Sequence, residues 1–360
     1  MRLRFFLVQP THLLALWCIG QLKEVLGKHL KNKALMDLVG EFSESRRVEG
    51  GRTLLDFDVT DLLGSSELDE FQQQTGLRKS PVTLVLPAPP HDRIDRSIGR
   101  NRVVAAFLHG LGGGRGSWGI GDRGLSSQQG LVSRVLSSVE ELGKEAIGVV
   151  LAGLGRDGAE LDSAVTKGGI TPRHYSRQLE YTLRYLDLFE CGRIIGIGHS
   201  VGAAALWEFA GGDFSSSGRR VGVGPGRPAL SVVSISPVRA MAESRHLTVG
   251  CHVAGKGLEL LLRSLLLLWH FSSRRLSELA GLASVLKGLA RQGPFRGNLA
   301  RIKGLVLIGE RDWIARTGLS AGLQHAGCKW PVAQLAGLGH NILCHPATAS
   351  ALVSYLPGLL

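Results

Sequence analysis

The chain has 360 residues, 44% of them apolar, and a formal net charge of +12. That length and apolar share fit a globular protein of one large domain with an insertion, or of two small domains. The basic residues are spread out, with no aromatic-interleaved stripe, which argues against nucleic-acid binding. No run reaches the roughly 18 apolar residues a membrane span needs. The five cysteines lie far apart with no C-x-x-C, which argues against a disulfide framework or a cysteine zinc site.

Met1-Arg2-Leu3-Arg4 and the apolar Phe5–Val8 begin like a signal peptide, but Gln9-Pro10-Thr11-His12 break the run. The first acidic residue is Glu24, a feature that organelle transit peptides share. A cytoplasmic location is the expectation, with organellar import or secretion as alternatives. Leu22, Val25, Leu26, Leu30 and Leu38 fall near helical spacing, with lysines between them. Such a basic amphipathic helix packs on the main domain or makes peripheral contact with an anionic membrane surface. Residues 1–50 are therefore read as an extension and 51–360 as the main domain.

Strand patterns cover 54–59 and 82–86, the second closed by Pro87-Ala88-Pro89-Pro90. A third, 102–108, runs into His109-Gly110-Leu111-Gly112. A helix is predicted over 126–142, a strand over 147–151 and a helix over 175–189. The apolar strand 193–197 meets Gly198-His199-Ser200-Val201-Gly202, and a helix follows from Val201. Gly211–Pro228 reads as a Gly/Ser/Arg loop, 230–235 as a strand, and 238–300 as almost wholly helical. Strand signal returns at 302–308 and 332–335, before a closing helix over 347–356. Alternating strands and helices predict an α/β class with a mostly parallel sheet covered on both faces. The helical block 238–300 is read as a lid or cap.

A G-x-S-x-G between a strand and a helix is the pattern of a nucleophile elbow, which makes Ser200 the candidate nucleophile. The turn is so tight that only glycine fits beside it. Acyl transfer also needs a base, an acid that orients it, and two N–H groups for the oxyanion. Asp312 follows the strand ending at Ile308 and is the candidate acid, with Glu310 as a rival. His340, after Gly339 at the end of the last strand, is the candidate base, ahead of His325 and His345. The N–H groups of Leu111 and Val201 are the candidate oxyanion pair. His109 is read as structural and His199 as lining the elbow.

From about residue 80 onward, the chain resembles the α/β-hydrolase superfamily. The likeness rests on His109-Gly110, Gly198-His199-Ser200-Val201-Gly202, Gly309-Glu310-Arg311-Asp312 and Gly339-His340-Asn341. It implies that fold, a Ser200–His340–Asp312 triad, an oxyanion hole at Leu111 and Val201, and a cap at 238–300. Ala203 departs from the glycine common at that position, and the loop at 211–228 looks like an insertion. Gly153-Leu154-Gly155-Arg156-Asp157-Gly158 mimics a dinucleotide fingerprint. Thr166–Pro172 interrupts the helix that such a unit needs, and the next strand ends without an acid. No organic cofactor or metal is expected. Eight leucines between Leu258 and Leu268 point to a hydrophobic ester or thioester as the small-molecule substrate. The competing reading is a non-catalytic binding protein of the same fold.

Overall fold

The computed structural model describes residues 46–49, 51–87, 101–111, 113–121, 124–125, 130–154, 157–162, 168–186, 188–211, 228–238, 253–254, 257, 273–292, 295, 297–316, 323–324 and 326–360. The expected basic helix, nearly all of the 211–228 loop and the Leu258–Leu268 run lie outside these residues. Of the expected lid, the described part is chiefly one helix, Ser273–Arg291.

Nine strands form the main sheet: β1 (Arg46–Glu49), β2 (Arg52–Asp58), β3 (Pro81–Pro87), β4 (Arg102–Leu108), β5 (Glu145–Leu151), β6 (Arg193–His199), β7 (Ala229–Ile235), β8 (Lys303–Gly309) and β9 (Val332–Leu335). Their spatial order is β1-β2-β3-β5-β4-β6-β7-β8-β9. From β5 across to β9 every pairing is parallel, whereas β1, β2 and β3 pair antiparallel and form a wing.

The parallel strands are apolar runs because both of their faces are covered. On one face Val104, Ala106, Ile147, Val149, Val232 and Val306 pack under α1 (Ser65–Thr75), α3 (Pro172–Tyr185) and α4 (Val201–Gly211). The alternating residues Ala105, Phe107, Val150, Ile195, Val233 and Leu305 pack under α2 (Leu131–Glu141) and the closing helix Pro346–Leu359. Burying one such side chain contributes about 1.5–3 kcal/mol. Helix α5 is Ser273–Arg291, and a short α6 (Trp313–Arg316) follows β8; the closing helix is α7. This is the α/β-hydrolase architecture expected from the motifs, with the elbow between β6 and α4 and the order Ser, Asp, His along the chain.

The differences from expectation have local causes. Among the described residues the first strand of the sheet is β1, Arg46–Glu49, which falls within the extension read over 1–50. That strand, Arg-Arg-Val-Glu, lies at the sheet edge and carries charge where a core strand carries apolar side chains. Its register is set by a turn with Gly51 at φ +74°. Helix α1 has no counterpart among the predicted elements: in its eleven residues only Phe71 and Thr75 are buried, too few to show a period. Helix α3 starts three residues early because Thr171 caps it and Pro172 fits the first turn.

Candidate active site

Ser200 sits between β6 and α4 at φ +55°, a left-handed conformation that is uncommon outside glycine. Three backbone bonds hold it there. Its N–H donates to the Ile235 carbonyl at 2.9 Å, and its own carbonyl accepts from Ala204 and Val238, each at 3.3 Å. The flanking glycines are required by close approach. A Cβ on Gly202 would stand 2.2 Å from the Leu108 carbonyl oxygen, and one on Gly198 would stand 2.6 Å from the Ala203 nitrogen. The strain is thus fixed by the ends of β4 and β7, and the serine is held at the carboxyl edge of the sheet.

The three residues singled out in sequence meet in a hydrogen-bonded chain. His340 Nε2 lies 3.1 Å from Ser200 Oγ, and His340 Nδ1 lies 3.0 Å from each carboxylate oxygen of Asp312. Asp312 follows β8, is fully buried and accepts the Ala315 N–H at 3.0 Å. Burial pushes its carboxyl pKa up. The hydrogen bonds from His340 and Ala315, with the nearby Ser236 hydroxyl, outweigh that and leave it below the ordinary carboxylate value. The rival Glu310 is exposed and accepts the Gly337 N–H at 2.7 Å. His345 caps α7 by accepting the Ala347 N–H. His325 lies outside the described residues.

Both other histidines near Ser200 are buried. His199 lies 3.1 Å from the His340 carbonyl through Nε2, so this nitrogen carries the proton and donates. Burial, set against that bond and reinforced by His340 and His109, lowers its pKa to about 4. It stays neutral at pH 7 and tethers the backbone of His340. His109 points Nδ1–H at the Gly110 carbonyl (2.8 Å), while its N–H donates to the Tyr175 hydroxyl (3.2 Å).

Ser200 opens into a cavity of about 390 Å³. Leu111 and Val201 both line it, beside the serine. Val201 is the first residue of α4, where backbone N–H groups are not used within the helix. The lining also includes the apolar Val238, Leu286, Leu289, Ile314 and Leu343 and the polar Ser117, His340 and Asn341. Among the described residues no group of three His, Cys, Asp or Glu side chains is placed to hold a metal ion.

Sequence reasoning missed the clamp on the loop after β4. The Asp157 carboxylate accepts the Arg115 N–H at 2.6 Å. The Arg115 guanidinium reaches Asp56 at 2.8 Å and Thr83 at 3.1 Å. Contacts between such distant segments are invisible to spacing rules, but Asp157 lies inside the Gly153–Gly158 motif, and its φ of +52° marks it as a special position. Gly155 and Arg156 of that motif lie outside the described residues.

No family model matches the chain, and no curated protein is similar to it. Solved structures are similar at low identity. One belongs to a study of carboxylesterases of the thaumarchaeon Nitrososphaera gargenis, at 13% identity and TM-score 0.47, covering 78% of this chain and 96% of that one. A second, at 13% identity and TM-score 0.49, is from work on epoxide hydrolases of the α/β-hydrolase superfamily in hot-environment metagenomes; it covers 77% of this chain and 94% of that one. A third is the thioesterase domain from the curacin biosynthetic pathway, at 14% identity and TM-score 0.44, covering 78% and 95%. Likeness at this distance says nothing of chemistry.

Proposed function

We propose that the chain is a serine hydrolase that cleaves an apolar carboxylic ester or thioester through an acyl-enzyme intermediate. The observation that carries this reading is His340, with one ring nitrogen 3.1 Å from Ser200 Oγ and the other 3.0 Å from a buried carboxylate. In the first step Ser200 Oγ attacks the acyl carbon while His340 Nε2 takes its proton. Asp312 holds Nδ1–H and stabilises the imidazolium. The Leu111 and Val201 N–H groups receive the negative charge that develops on the carbonyl oxygen. His340 then returns the proton to the leaving alcohol or thiol. Water, activated by the same imidazole, frees the acid. The Val238, Leu289 and Ile314 lining supports an apolar acyl group. The attacking atom is a serine oxygen, so the released acyl group is passed to water through an ester.

The test is hydrolysis of p-nitrophenyl esters and acyl thioesters by wild type and Ser200→Ala. Turnover by wild type alone, with unchanged circular dichroism in the variant, is the expected result. Equal hydrolysis by Ser200→Ala would overturn the proposal.

A further inference from the structure

Helix α5 forms one wall of the cavity through Leu286 and Leu289. Leu289 and Val285 also pack on Ile170, Val201 and Val238. The helix is held there by its backbone. A Cβ on Gly288 would stand 1.9 Å from the Ile170 carbonyl oxygen, and one on Gly169 (φ +89°) would stand 2.6 Å from the Gly288 nitrogen. Two hydrogen bonds flank this crossing: Ile170 N–H donates to the Ser284 carbonyl at 3.0 Å, and Arg291 Nη1 to the Gly168 carbonyl at 2.7 Å. Residues 168–171 lead straight into α3, whose inner face is buried in the core. Gly288 itself does not line the cavity.

Lids that open are drawn from the sparsely packed, low-stability parts of a structure. This wall touches the body backbone to backbone, so its distance from Ser200 is fixed by the absence of a side chain at one position. We propose that Gly288, against Gly169 and Ile170, is the positioning residue that sets the depth of the acyl pocket and so the longest apolar acyl chain that the site accepts. The inference rests on the hydrolase reading above.

Three measurements on the full chain test it. Wild-type labelling by a fluorophosphonate probe reports the hydrolase reading by itself. Hydrogen exchange reports the wall: the Ile170 amide and the α5 amides from Ser284 to Arg291 should exchange as slowly as those of β6. Exchange at the rate of exposed loops would overturn the fixed wall. The kcat/KM profile over p-nitrophenyl esters from C2 to C16 should rise to a peak and fall off beyond it, where the chain meets the α5 wall. In both Gly288→Ala, which pushes the helix outward, and Leu289→Ala, which hollows the wall, the peak should move to longer chains. The C12-to-C4 ratio should rise about tenfold or more, mainly through KM. If Gly288→Ala fails to fold, Leu289→Ala and the exchange rates decide. A profile unchanged in the variants, in a chain whose wild type labels, overturns the inference and leaves the hydrolase reading standing. A wild type that neither labels nor cleaves overturns both.

Discussion

The strand-end site and the α5 wall face each other across one cavity but are built differently. Ser200, Asp312 and His340 follow β6, β8 and β9, so the register of a parallel sheet fixes their spacing. The wall is fixed by a single crossing of two backbones at Gly169 and Gly288. On the proposed reading, reactivity rests on the register of the parallel sheet, and selectivity on a contact that one methyl group would disturb. Loop and lid segments can change substrate while the sheet keeps the chemistry in place.

That contrast can be broken most directly at the sheet. Ser200→Ala should lower kcat by about four orders of magnitude or more for every acyl length, with no loss of thermal stability. A drop confined to long chains would show that the two regions are not separable. Asp312→Asn should cost about four orders of magnitude through the wrong His340 tautomer, while Glu310→Gln keeps most activity. The reverse outcome in ester assays would move the acid to Glu310.

The next effect is on stability. His199 is neutral in the folded chain down to about pH 4, whereas the unfolded chain protonates it below about 6.5. The unfolded state then binds more protons in that window, so stability falls as pH drops from about 6.5 to about 4, by about 3 kcal/mol. Urea unfolding of wild type and His199→Gln across this range checks it; parallel curves would contradict the assignment. Asp312, whose carboxyl is lowered, adds its loss only as pH falls through and below the ordinary carboxylate range. The smallest effect is expected at Asp157→Ala, which frees the Arg115 N–H and loosens the loop that carries Leu111. A fall in kcat of about tenfold with KM little changed would tie the clamp to oxyanion binding rather than to the α5 wall.

The parts legible in the sequence are those that speak locally. Glycines at 198 and 202 flank Ser200 because the chain passes Leu108 and turns back on itself within a few residues. Strands such as β6 and β8 are unbroken apolar runs because both faces are covered. Asp312 and His340 each lie in the short loop after a strand, β8 and β9, where the sequence reading placed the acid and the base; Glu310, nearer still to β8, is told apart from Asp312 by exposure and not by spacing. Other features are written between distant segments. Strand β1 has no apolar period, and α1 buries one aromatic ring. The Asp157–Arg115–Asp56 clamp joins three separate loops and strands, and Gly288 is informative only once Ile170 is known to lie against it.

The most direct test of the whole account is fluorophosphonate labelling of the purified chain, with the modified peptide located by mass spectrometry. The account predicts one phosphonylated residue, Ser200, and loss of the adduct in both Ser200→Ala and His340→Ala. An unlabelled wild type, or an adduct on another serine that survives Ser200→Ala, would contradict it.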